Sequence, residues 1–539
     1  MTLLDKPVLL REDMRRLDQM TIASGTPSLE LMERAGERIA RFLSSHSEQL
    51  APSLHPGAGV PSLLVLAGAG NNGGDGFVVA RLLAAQGWEV TVAMCAREPD
   101  AGGDADVNLK LWRQADGVLI SDAECLALLR DDETGGHDLV LDALLGTGLD
   151  RELDGFLFEL IAALNESGLP VVSVDIPSGL CADSGNPLGI AVLADATVTL
   201  GAAKPGLFLG AGPNHAGRID IADIGLRAPA EEGIDVVGQV IDDEACEAWV
   251  PHRHPTTHKG ELGHVLVVGA SAGKTGAVLL AARGALRAGA GLVTMAVPAG
   301  LATATDAALP EAMTIALADD GSGQIAPGAW RALGLETAGI DVAVIGPGMG
   351  TGAGAAELVR SAVAGFPGPL VLDADALNVL AAERGEPLAA LMAARREAGH
   401  GTCVMTPHPG EMGRLLGIAS SAVQADRLAA VRALARECGV TAVLKGAATL
   451  ICRQGGRTGF NSSGNSGMAS AGMGDVLSGL MGAMAAQVAD GYEAAALAVF
   501  AHGLAGDLLA DRYHGPGFLA GELADALPEA LAVLRVAVP

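Results

Sequence analysis

The residues best suited to chemistry sit in short glycine-rich loops. Residues 68–76 read GAGNNGGDG, placing Asn71, Asn72, Gly73, Gly74 and Asp75 in a row. On a tight turn, two amides and a carboxylate would aim oxygen and N–H groups at one spot, although Asn and Gly also serve plain turn chemistry. Asp142 is followed by Gly146, Thr147, Gly148, Leu149, Asp150, Arg151 and Glu152, and Asp175 by Ile176, Pro177, Ser178 and Gly179. The second half carries GPGMG (346–350, with Gly348), LDADALN (372–378), TPHPGEM (406–412, with His408) and KGAAT. The last comprises Lys445, Gly446, Ala447, Ala448 and Thr449. GNSGMASAGMGD (464–475) ends in Gly474 and Asp475, directly before a helical pattern over 476–487. Helix N-terminal amides stabilise negative phosphoryl oxygens, and a carboxylate beside them can take a proton from a hydroxyl. Two roles compete for Asp475, helix cap and base. His408 equally reads as a ligand contact or as a satisfied loop histidine.

These loops need strand ends to hold them. Apolar runs at 61–67, 89–95, 138–144, 171–176 and 197–200 predict strands in the first half. Runs at 264–269, 292–297, 342–345, 370–373, 403–405 and 442–444 predict them in the second. Helical patterns lie between, so the expectation is two doubly wound α/β domains with mostly parallel sheets. Acids that follow strands then gather at the carboxyl edge, where such folds place ligands, though an acid after a strand is often only a helix cap. The polar joint over 228–259, with Pro251, Pro255 and three histidines, predicts domains at 1–228 and 236–539.

Composition narrows the function classes. Half of the 539 residues are hydrophobic and 18% are charged, which excludes a disordered solvating chain. Lysine and arginine number 35 against 63 acids, a net charge of −28, so nucleic acid and anionic membranes are not expected partners. Backbone N–H groups and a few local cations still allow a phosphorylated ligand. No membrane span and no secretory signal are read, and seven cysteines without a CxxC pair fit a reducing cytoplasm. With 74 glycines, a lone GxGxxG at Gly68, Gly70 and Gly73 carries little weight. The GxSxG at 269–273 lacks a companion triad, and the GKT at 273–275 lacks the P-loop glycine, since residue 268 is valine. Both are decoys.

NNGGDG, DALLGTGLDR and VDIPSGL occur in the order found in the NAD(P)H-hydrate epimerase family, which the chain resembles over about residues 10–225. That resemblance implies a substrate site at Asn71–Asp75, Gly146–Glu152 and Asp175, and a potassium site at Asn72, Asp142 and Ser178. Amide, carboxylate and hydroxyl oxygens suit a hard cation. HKGELGHVLVVGAS, GPGMG, DADALN, TPHPGEM and KGAAT likewise resemble the ribokinase-like NAD(P)H-hydrate dehydratase family, over about residues 240–535. By position, Gly348, His408 and Asp475 would contact the hydrated nicotinamide nucleotide. Lys445, Gly446, Ala447, Ala448, Thr449 and Gly474 would contact the adenine nucleotide. Met473 departs from the family, which has a small or hydroxylated residue there; a backbone anion hole survives that change.

The resulting expectation is a Rossmann-like epimerase domain followed by a ribokinase-like dehydratase domain. The first would interconvert R and S hydrates of NADH or NADPH, with Asp175 handling the proton. The second would dehydrate the S form with ADP, magnesium and Asp475 as base, giving AMP and phosphate. A homo-oligomer is expected. A ribokinase-like vitamin or sugar kinase fused to a binding domain is the alternative, and an NAD-dependent dehydrogenase a third.

Overall fold

Continuous apolar runs become the strands of two separate sheets in the computed structural model, which describes residues 6–51, 59–131, 136–333 and 339–536. The chain divides into two units, one over 6–238 and the other from 239 onward. The strands of the first are β1 (Ser62–Ala67), β2 (Glu89–Met94), β3 (Val118–Ser121) and β4 (Leu139–Ala143), then β5 (Val171–Val174), β6 (Ala196–Leu200) and β7 (Arg218–Ala222). They lie in the order β3-β2-β1-β4-β5-β6-β7, all parallel. Leu63 through Ala67 are fully buried, as both faces of a parallel sheet carry helices. After β3 the chain returns to the far side of β1, so the order reverses between β1 and β4.

The helical pattern at 11–42 forms two helices, Arg11–Ala23 and Ser28–Leu50, broken at Gly25 (φ 114°) and Pro27. The expected boundary at 228 falls inside this unit. Ile234 buries among Leu9, Met14, Leu17 and Ala202, and the Val237 N–H donates to the Val8 carbonyl at 2.9 Å. Apolar burial therefore outweighs the turn-like composition that suggested a joint there.

The second unit holds β8 (Gly238–Ile241), β9 (His264–Val268), β10 (Leu292–Pro298), β11 (Met313–Leu317) and β12 (Val342–Ile345). They are followed by β13 (Leu370–Leu372), β14 (Cys403–Met405), β15 (Thr441–Leu444), β16 (Leu450–Arg453) and β17 (Thr458–Asn461). The order is β8-β17-β16-β15-β14-β13-β12-β9-β10-β11. Strands β9 to β15 pair in parallel, while β15–β16 and β16–β17 are antiparallel. The reversal here falls between β9 and β12. Gly491–Tyr513 is, among the described residues, the one helix long and apolar enough to cross a membrane. Leu497, Val499 and Phe500 bury it in the core against the helices Met473–Gln487 and Ala520–Val536, so its apolarity has a packing cause.

Both reversals are closed by a glycine. A Cβ on Gly68, after β1, would lie 1.9 Å from the Leu144 carbonyl oxygen after β4. One on Gly269, after β9, would lie 2.2 Å from the Pro347 oxygen after β12. No side chain fits at either crossing.

Candidate active sites

The first site is a cleft of about 680 Å³ at the carboxyl edge of β1, β4 and β5. Asn71, Asn72, Asp75, Gly146, Thr147, Gly148, Leu149, Asp150, Arg151 and Asp175 all line it. Gly73, Gly74 and Glu152 do not. NNGGDG is not the expected tight turn: it is the start of the helix Asn71–Ala85, with Gly70 as its cap. Gly73 and Gly74 serve packing, where a Cβ would lie 2.0 Å from the Gly68 oxygen and 2.6 Å from the Met32 methyl.

Asp175 has φ 68° in a three-residue turn closed by the Ile176 N–H and Val174 oxygen at 2.8 Å. Held strain of this kind marks functional loops. Its carboxylate is ion-paired to the fully buried Lys204 and accepts from the Leu200 N–H at 3.0 Å. Two further carboxyl groups stand beside this pair. Burial pushes Asp18 up to about 6, and pushes Asp75 well above the usual range with the Asp175 charge adding to the shift. The sequence reading missed Asp18 and Lys204. Lys204 carried one signal, a lysine in a Gly-Ala-Ala-Lys-Pro-Gly turn rather than on a surface helix.

Asp142 is fully buried behind the cleft. It accepts from Ser178 Oγ at 2.6 Å, Ser178 N–H at 2.9 Å and Ser173 Oγ at 2.8 Å. Burial raises its pKa, and these donors offset that only in part. Ser178 Oγ also accepts from the Leu145 N–H at 2.8 Å, and Asn72 borders Gly146, so all three residues surround the 144–146 backbone. The Asn72 side-chain nitrogen is buried without a hydrogen-bond partner among the described residues.

The second site repeats the lysine–carboxylate theme after β13 and β15. Lys445 Nζ lies 2.6 Å from Asp373 Oδ1, which also accepts from Thr406 Oγ1 at 2.7 Å, while Ser478 donates to the other oxygen. Burial would raise the Asp373 pKa, but Lys445 and these hydroxyls outweigh it and hold the carboxyl below its ordinary value. Asp475 is not a cap. Gly472 (φ 91°) precedes the helix Met473–Gln487, and Asp475 sits inside its first turn. Burial and then the Asp373 charge lift Asp475 to about 6, and burial lifts Glu411 to about 7.

His408 caps the helix Pro409–Leu416, its Nδ1 accepting from the Gly410 N–H at 3.0 Å, with Glu411 completing a capping box. Gly348 (φ 63°) accepts from Ser271 Oγ at 2.8 Å, so the serine of GxSxG is a loop tie. Lys445, Gly446, Ala447, Ala448 and Thr449 form a bend pinned from below by the buried Arg427, which donates to the Ala447 and Leu444 oxygens. Gly474 borders Lys445 Nζ. The Met473 side chain is buried in the core, and its carbonyl lies 2.9 Å from His502 Nε2. Burial lowers His502 to about 4, so the neutral ring donates there. The Met473 departure is thus absorbed by packing. Asp373, Ser478 and Glu411 were not assigned roles from sequence. Among the described residues no three His, Cys, Asp or Glu side chains group to hold a metal.

These features define a two-domain α/β chain with a lysine–carboxylate cluster at each sheet's carboxyl edge. Residues 28–206 match the family model described as YjeF-related protein N-terminus, and residues 265–529 match NAD(P)H-hydrate dehydratase. The bifunctional NAD(P)H-hydrate repair enzyme Nnr of Moorella thermoacetica is 38% identical, over 96% of this chain and 95% of that one. Its Escherichia coli counterpart is 37% identical, over 93% and 89%. An ADP/ATP-dependent NAD(P)H-hydrate dehydratase structure from Bacillus subtilis, co-crystallised with ATP and magnesium, is 28% identical and covers 55% of this chain and 99% of that one, with a TM-score of 0.46. The chain belongs to the family of bifunctional NAD(P)H-hydrate repair enzymes.

Proposed function

We propose that the first unit epimerises R and S hydrates of NADH and NADPH, and that the second dehydrates the S form with ADP, giving AMP, phosphate and NAD(P)H. The hydrated carbon bears both a hydroxyl and the ring nitrogen, so water can leave through an iminium and return to either face. Asn71, Asn72, Asp75, the 146–151 loop and Asp175 bind the first substrate, with Asp175 handling a proton.

In the second unit hydroxide is a poor leaving group and phosphate a good one. Asp475 takes the ring hydroxyl's proton as that oxygen accepts the terminal phosphoryl group of ADP, and elimination of phosphate follows. Lys445 and the amide end of the helix Met473–Gln487 hold the phosphoryl charge. His408 and Gly348 position the hydrated ring, and Gly446, Ala447, Ala448, Thr449 and Gly474 the adenine nucleotide. The carrying observation is Asp475 itself, a carboxyl lifted to about 6, still largely ionised at neutral pH, in the first turn of a helix beside Lys445.

A potassium ion fits Asn72, Asp142 and Ser178. The incompletely compensated Asp142 charge, with the Ser178 hydroxyl beside it and the Asn72 Oδ1 bordering Gly146, supports oxygen ligation there. Such an ion would tie the three loops together. Magnesium would come as the nucleotide's own counter-ion and would screen the phosphate charge, with the Glu411 and Asp475 carboxyls available to hold it. The free cysteines fit a reducing cytoplasm, and a homo-oligomer is the expected assembly, read by light scattering.

Incubating the full chain with hydrated NADH and ADP tests the whole reading. Returning dihydronicotinamide absorbance with stoichiometric AMP supports it; a stable phosphorylated product without that absorbance means a kinase.

A further inference from the structure

The helix Arg11–Ala23 lies outside every loop that the sequence marks, yet it forms part of the first cleft's wall through Met14, Arg15, Asp18 and Ile22. Asp18 is half-buried, and its carboxyl makes no hydrogen bond or ion pair among the described residues. A carboxyl that lines the cleft and is tied to no protein group can meet whatever enters. The charged groups around it are Asp75, Asp175 and Lys204, with Arg15, Asp104, Asp150 and Arg151 also lining the cleft.

The chemistry asks for such a group. The R and S hydrates carry their hydroxyl on opposite faces of the ring, and a single carboxyl meets one face. We propose that Asp18 is the second proton-handling residue of the epimerisation, serving one face of the hydrated ring while Asp175, fixed by Lys204, serves the other. This rests on the epimerase reading above. One carboxyl gives its proton to the hydroxyl oxygen, the C–O bond breaks with its electrons leaving in water, and the ring-nitrogen lone pair forms the iminium. Water then adds to the opposite face and passes its proton to the other carboxylate. No proton is consumed, and the two groups end with their roles exchanged, ready for the reverse direction. A group near 6 populates both forms around neutrality, which suits that exchange.

The test uses full-length wild type, Asp18→Asn and Asp18→Glu, with R-hydrate of NADH converted to S and followed by chromatography. Asp18→Asn should lose about 10²–10³-fold in kcat with KM changed less than about threefold, and its kcat should lose the pH limb near 6. Asp18→Glu should recover part of the rate and keep a limb. An Asp18→Asn enzyme with near-normal kcat and its limb intact overturns the proposal. So does loss of saturable substrate binding together with activity in both variants, which makes Asp18 structural. A wild type that does not epimerise overturns the epimerase reading instead.

Discussion

The two sites use one electrostatic plan with different amounts of water. In each, a lysine fixes an aspartate at the carboxyl edge of a parallel sheet, and two further carboxyl groups stand nearby with raised pKa. Asp373 has side-chain exposure of 2%, and Lys445 and two hydroxyls tie both its oxygens. Asp175 is more open, at 14%, and Lys204 is its ion-pair partner. The Asp373 carboxylate is held at both oxygens, while its lysine keeps 18% of its side chain exposed. The Asp175 carboxylate has an oxygen that can itself meet a ligand, while its lysine is fully buried. The lesson is that the same ion pair serves as anchor or as participant according to how many of its oxygens the fold occupies.

The sharpest way to break the comparison is Asp475→Asn. Dehydration should fall about 10²–10⁴-fold, with epimerisation unchanged on the same preparation. Since Asp475 is no cap, stability should respond too. An acid whose folded pKa of about 6 exceeds its unfolded value binds protons more tightly when folded, so its contribution is lost as pH rises from about 4 to about 6. The variant should therefore melt higher than wild type near pH 7, by about 1–2 kcal/mol of stability.

Next come the lysines. Lys445→Met strands a sealed carboxylate and should cost about 3–5 kcal/mol. Lys204→Met leaves Asp175 with some access to water and should cost less, about 1–3 kcal/mol. Equal losses in chemical denaturation would remove the anchor–participant distinction.

A smaller effect concerns the boundary. A first unit ended at residue 228 loses buried Ile234, about 2 kcal/mol, and should melt about 4–8 °C below one ended at 238. The smallest is ionic. Asp142→Ala should raise the potassium needed for half-maximal epimerisation at least about tenfold, with dehydration unaffected; an unchanged titration would leave Asp142 as a buried hydrogen-bond hub.

What the sequence disclosed follows from burial. Strands buried on both faces, such as β1 and β9, read as unbroken apolar runs and were located within a residue or two. The edge strands β3, β7 and β11 carry exposed positions and no such run, and β16 and β17 turn antiparallel through short segments with little periodicity. The lining of the first cleft was legible where it is written in near-adjacent residues, as at Asn71, Asn72 and Asp75, while Gly73 and Gly74 between them serve packing. It was not legible where partners come from distant turns. Lys204 lies 29 residues from Asp175, and Lys445 lies 72 from Asp373. Asp18 stands on a helix with three acids and three arginines, where nothing in its neighbours sets it apart. Asp475 was singled out, but its place inside the helix depends on Gly472 adopting positive φ, which composition does not announce.

The glycine crossings at Gly68–Leu144 and Gly269–Pro347 also set what natural variation can reach. With backbone against backbone there is no side chain to trim, and anything larger than hydrogen must pry the adjacent strands apart. The floor of the first cleft, which Gly68 and Leu144 line, therefore has a fixed gauge. Divergence between copies of this fold in the size of nucleotide accepted has to accumulate on the rim, in segments such as 146–152. A library randomised at Gly68 or Gly269 should return only glycine, while one randomised over the rim should return a range of substrates.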